Sequence, residues 1–130
     1  MHKGYFSAAA LLAALAVGLG AFGAHGLKKI VPPETVATFQ TGVQYIMYHA
    51  LALLVVAIAF DILPQKLMNR AAVCFITGII LFSGSLYLLT VLKATDTVGL
   101  QGIGAVTPAG GLFFIAGWLF LFFGAIKKVN

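Results

Sequence analysis

YFSAAALLAALAVGLGAFGAHGL, residues 5–27, is the stretch on which the fold turns. Gly18, Gly20 and Gly23 have the G-x-G-x-x-G spacing of a dinucleotide-binding loop, which carries meaning only between a buried strand and a helix, with an acidic residue about 20 positions on. The residues before Gly18 are mostly alanine and leucine, without the β-branched enrichment of a strand, and read as helix. The nearest downstream acid, Glu34, stands eleven residues past Gly23 and behind Pro32-Pro33. The nucleotide reading fails on both sides. What remains is an apolar helix longer than the ~20 residues needed to cross ~30 Å of hydrocarbon.

Three further apolar runs follow, at 45–62, 71–92 and 108–126, separated by short clusters of charge. A chain that is 62% apolar and 8% charged, with a mean hydropathy of +1.07, has more apolar surface than a soluble domain of 130 residues can hide. The runs are too long and too uniformly apolar for the alternating ~10-residue strands of a membrane barrel. The expected fold is all-α: a single transmembrane domain, an up-down-up-down four-helix bundle with helices near 5–27, 35–62, 71–92 and 108–126. The first run exceeds the usual apolar core of a signal peptide and reads as a retained helix. Lone Cys74 reads as a small apolar residue.

The net charge of +5 forms no basic stripe, which argues against nucleic acid; every cluster lies beside a span, as membrane anchoring requires. With the N-terminus inside, Lys3, Lys66, Arg70, Lys127 and Lys128 face Lys28, Lys29 and Lys93 across the bilayer. That bias predicts both termini on the cytoplasmic side of a plasma membrane.

On a helix at about 100° per residue, Ser7, Ala14, Gly18, Ala21 and His25 fall near one line. Small residues let helices approach closely in lipid, so this line, with Gly23, Gly84, Gly110 and Gly111, is expected to pack helices or a second copy of the chain. On the second helix Thr41, Gln44, Tyr45, Tyr48 and His49 form a polar arc, and Val43, Ile46, Ala50 and Leu54 are expected to meet lipid. Ser83, Tyr87 and Thr90 share a face of the third span, with Gly84 beside them and Ser85 turned away. Thr107-Pro108 reads as an N-cap and first-turn proline. Trp118 lies too deep for an interfacial anchor and reads as a packing residue. The 94–106 loop, with Val98, Leu100, Ile103 and Val106 among glycines, is expected to lie on the bilayer or over the bundle mouth.

Alternating topology gathers His25, Gln44, Tyr45, Tyr48, His49, Ser83, Tyr87 and Thr90 in the outer half of the membrane. Such a cluster is either interhelical hydrogen-bond glue or a pocket for a lipid, small molecule, proton or metal. Two histidines without acidic or thiol companions make a thin metal or haem site, and the spans hold no acid to orient a catalytic serine. No catalytic residue, cofactor or metal is assigned. The expected partners are the bilayer and either another copy or a partner membrane protein. A minimal dimeric proton-coupled or small-molecule transporter is an alternative, its proton coupling resting on His25 and His49 as titratable groups.

Taken in order, GAFGAHGL (20–27), GVQYIMYHALALL (42–54), LFSGSLYLL (81–89) and TPAGG with the later Gly-Trp pair (107–118) resemble the family called domain of unknown function 423, also uncharacterised protein family UPF0382. The resemblance spans nearly the whole chain. It implies a four-helix protein of the bacterial plasma membrane and implies no reaction. Its motif residues fall here on Gly23, His25, Gly26, Tyr45, His49, Ser83, Gly84, Tyr87, Pro108, Gly110 and Gly111.

Overall fold

The computed structural model describes residues 1–97 and 101–127; Val98, Gly99, Leu100, Lys128, Val129 and Asn130 lie outside them. It contains α1 (Lys3–His25), α2 (Pro33–Ala59), α3 (Gln65–Gly78), α4 (Gly84–Ala94) and α5 (Val106–Ile126). A π-helical turn, Ile79–Ser83, joins α3 to α4, so the two form one interrupted span. Short 3-10 turns occupy Leu27–Lys29 and Gln101–Ala105. Four helical stretches are thus long and apolar enough to cross a membrane, and no strand occurs among the described residues.

Local chemistry sets the ends. His2 accepts from the Tyr5 amide at 3.1 Å and caps α1. Pro33 occupies the first turn of α2 with Glu34 beside it, where proline's missing N–H costs nothing and a carboxylate complements the helix dipole. Pro64 immediately precedes α3. Asp96, at φ 55°, turns the chain after α4, a left-handed conformation that aspartate tolerates better than most residues. Asp61 pairs with the N-terminal ammonium, whose hydrogen bond and charge hold its carboxyl below the usual range. Both groups are exposed, so the tie adds little to stability.

The helices do not form an evenly closed bundle. α1 packs chiefly on α2, α2 on the α3–α4 span, and α5 chiefly on α3. The outer contacts repeat every seven residues, the spacing that keeps a seam facing its partner when helices supercoil. On α1 the buried line is Ala9, Ala16 and Gly23. On α5, a Cβ at Gly110, Gly117 or Gly124 would strike Phe82, Phe75 or Met68, themselves seven apart, while one at Gly78 of α3 would strike Phe114. The Phe75, Phe114 and Met68 side chains therefore sit in glycine holes, and at Gly110 the Phe82 backbone itself approaches α5, bringing the third span and α5 close where lipid offers no hydrophobic drive.

This seam corrects the sequence expectation for packing within the chain. Ser7, Ala14, Gly18, Ala21 and His25 are exposed in the single chain, as is Gly84. A Cβ at Gly18, Gly84 or Gly111 would meet open space. Gly23 and Gly110 do pack helices. α1 carries small residues on several lines, and size alone does not select among them.

The face of α2 is corrected too. Val43, Ile46 and Ala50 are buried, while Gln44, Tyr48, Leu51, Val55 and Ile58 are exposed. α2 is the central helix, with Thr35, Gly42, His49 and Val56 along one buried seven-residue line and Phe39, Ile46 and Leu53 along another.

Candidate functional site

His49 is the polar centre of the fold. It lies 16 residues from Pro33 and 10 from Ala59, near mid-helix at ~1.5 Å per residue and not confined to an outer half. Its ring is 3% exposed. Nδ1 lies 2.7 Å from the Tyr45 carbonyl one turn earlier, and Trp118 Nε1–H donates to Nε2 at 3.2 Å. A carbonyl only accepts and an indole N–H only donates, so the ring is neutral, with its proton on Nδ1. A second proton on Nε2 would break the Trp118 bond. The ring lies flat on Phe114, centroids 3.5 Å apart at 7°.

Around this centre Tyr45 stacks on Phe82 at 4.3 Å, and Trp118 meets Phe75 edge-on at 5.3 Å. α2 and α5 flank the α3–α4 span, and their backbones stay apart. Between them runs a groove of about 540 Å³ walled by Tyr45, Tyr48, His49, Phe114, Ile115 and Trp118, with Gly111 and Leu112 farther along α5. Tyr48, Ile115 and Trp118 are about half exposed, so the groove opens sideways, toward where lipid lies in a bilayer. The Tyr45 and Tyr48 hydroxyls make no hydrogen bond among the described residues.

The remaining cluster members divide. Ser83 is buried in the π-helical turn and donates to the Gly42 carbonyl at 2.7 Å, joining α2 to the third span. π-helical turns often mark functional positions, and this one aims a hydroxyl across a helix contact. Ser83→Ala is expected to cost about 1 kcal/mol of stability, measured by denaturant unfolding in micelles. Thr90 donates back to Leu86 O at 2.9 Å. Tyr87 lies over Gly42, against Phe39 at 4.9 Å, and its hydroxyl is buried without a partner among the described residues. Tyr87→Phe removes that orphan and is expected to raise stability by about 1 kcal/mol in the same assay.

His25 is not part of this site. Its ring is exposed, with Nδ1 3.0 Å from Ala21 O on its own helix. Gly23 lies against Gln40 and Gly20 against Val43, an antiparallel register that sets His25 roughly 16 Å along the axis from His49. Gln44 is exposed on the outer face of α2. No group of three His, Cys, Asp or Glu side chains converges among the described residues. Ser85 pairs with Thr107 at 2.5 Å. α5 begins at Val106 with Ala105 at its cap, so Thr107 ties α4 to α5 and does not cap the helix.

Trp118, Phe75, Phe82 and Phe114 complete the site and were not marked for it by sequence. Their only signals are the depth of Trp118 in its span and the seven-residue spacing of Phe75 and Phe82.

Consecutive antiparallel apolar helices around a polar centre near mid-helix define an integral, multi-pass helical membrane protein. The chain belongs to the family described as Protein of unknown function (DUF423), which matches residues 19–111. It is 46% identical over 119 residues to the UPF0382 membrane protein YwdK of Bacillus subtilis (strain 168), covering 91% of this chain and 92% of that one. It is 36% identical over 128 residues to a UPF0382 membrane protein of Haemophilus influenzae, covering 98% of each. It is 38% identical over 119 residues to the UPF0382 inner membrane protein YgdD of Escherichia coli (strain K12), covering 92% of this chain and 86% of the relative. No solved structure matches the chain.

Proposed function

We propose that this is a non-enzymatic protein of the bacterial cytoplasmic membrane that holds an amphipathic, lipid-like molecule in the groove beside His49. The observation that carries the reading is an open aromatic groove near mid-helix whose buried histidine has both nitrogens engaged within the chain. His49 is therefore a fixed wall with no free nitrogen to serve as base or metal ligand, and the unbonded Tyr45 and Tyr48 hydroxyls offer polar handles beside apolar surface. A volume of about 540 Å³ falls within the ~300–1,000 Å³ of small-molecule pockets, which combine apolar walls with a few polar groups. The inner-membrane name of the Escherichia coli relative supports the location.

Native mass spectrometry of the gently solubilised protein tests the reading. The wild type is expected to retain one more small mass than Gly111→Leu, which grows into the groove from a position with open space and is expected to remain folded. Bare wild-type protein, or equal retention by the variant, would overturn the proposal.

A further inference from the structure

A second cavity, separate from the His49 groove, lies where α3 begins and α5 ends. It measures about 350 Å³ and is lined by Asn69, Arg70, Val73, Cys74 and Phe120. Arg70 stands in the second turn of α3, and its guanidinium carbon is 5.8 Å from the centroid of the Phe120 ring. A long, flexible stem of this kind can reach toward the membrane surface, and the Arg70 cation lies over the Phe120 ring. Tyr5 donates to Asn69 Oδ1 at 2.8 Å, which commits the acceptor side of that amide and leaves its Nδ2 donor. The rim thus offers donors over a floor of Val73, Cys74 and Phe120.

The surrounding charge has the same sign. Lys66 stands one turn before Arg70, Lys127 follows α5, and Lys3 opens α1 at this end of the molecule. Asp61, the acid at this end, is taken by the N-terminal ammonium. Arg70 meets no carboxylate among the described residues. A guanidinium at the edge of a bilayer, without a carboxylate partner among the described residues, is matched by a phosphate, which it binds through paired, charge-assisted hydrogen bonds.

We propose that the Arg70–Asn69 rim and the Phe120 floor form a site for one anionic glycerophospholipid, its phosphate on Arg70 and the start of an acyl chain along Val73, Cys74 and Phe120. The apolar floor selects a lipid over free phosphate. Because the rim holds donors and a single cation, it selects an anionic headgroup over one that carries its own compensating cation. The site does not depend on the reading of the His49 groove.

Delipidated protein in detergent, given equal amounts of phosphatidylglycerol and phosphatidylcholine with identical acyl chains, tests the site by native mass spectrometry. The wild type is expected to retain one phosphatidylglycerol at least about fivefold over phosphatidylcholine. Arg70→Gln is expected to lower that retention about tenfold, with Arg70→Lys intermediate because it keeps the charge and loses the fork. Lys66→Gln, one turn away, is expected to change it less than about twofold, the response of a local site and not of a diffuse surface field. Gly111→Leu is expected to leave phosphatidylglycerol retention unchanged, which separates this site from the groove. Equal retention of the two lipids, full retention by a folded Arg70→Gln protein, or an equal loss in Lys66→Gln would overturn the proposal.

Discussion

Gly110→Ala is expected to destabilise the protein by about 2 kcal/mol or more, whereas Gly111→Ala is expected to fall within about 0.5 kcal/mol of wild type. The two substitutions add the same methyl to adjacent residues of one helix, so intrinsic helix propensity cancels in the comparison. At Gly110 the new Cβ would lie 2.5 Å from the Phe82 backbone nitrogen and 2.8 Å from its Cα, atoms that no rotamer change can clear. α3 and α5 would have to separate, loosening the seven-residue seam toward Phe75 and Met68. At Gly111 the Cβ meets open space. Denaturant titration in detergent micelles, followed by helical circular dichroism, measures both variants. Equal stability would mean that α5 does not pack on α3 in this register.

His49→Ala carries the second large effect, expected at about 3 kcal/mol. It leaves a void against Phe114 and Phe75 and strands the indole N–H of Trp118. The same unfolding assay measures it, and a double-mutant cycle with Trp118→Phe isolates the pair. The expected coupling is about 1 kcal/mol, the usual scale for a side-chain hydrogen bond between transmembrane helices. Additive losses would show that the two side chains do not meet. Trp118 is the sole tryptophan, so its emission reports on the same contact, and loss of the histidine partner is expected to shift that emission.

The four spans, their all-helical nature and the start of α2 at the proline pair were legible in the sequence, because length and hydropathy act locally and the prolines mark the boundary themselves. The third span extends to Gln65, beyond the apolar run, because the helix begins directly after Pro64 and takes Lys66 and Arg70 into its first two turns. Which faces turn inward was less legible, for a physical reason: lipid and protein interior are both apolar, so hydropathy does not separate them. Val43, Ile46 and Ala50 looked fit for lipid and are buried, while Gln44 and Tyr48 looked fit for the interior and are exposed. A 3.6-residue line through the small residues of α1 selected Ser7, Ala14, Gly18 and Ala21, whereas the helices pack on a seven-residue line through Ala9, Ala16 and Gly23. His49 stands out in the sequence because a titratable residue within a span must find partners, but its partner Trp118 lies 69 residues away and nothing local announces the pair. The π-helical turn at Ser83 and the glycine holes that receive Phe114, Phe75 and Met68 are likewise properties of paired helices, invisible in any one of them.

That the groove beside His49 opens sideways into the middle of the bilayer is tested most directly by the fluorescence of Trp118 in vesicles of phosphatidylcholine brominated at defined acyl-chain positions. Trp118 is 12 residues from the start of α5 and 8 from its end, which at ~1.5 Å per residue places its ring near the bilayer centre. The account expects the strongest quenching from bromine near the middle or end of the acyl chain. Emission unaffected by bromine at every depth, or quenched most by bromine next to the headgroup, would contradict it.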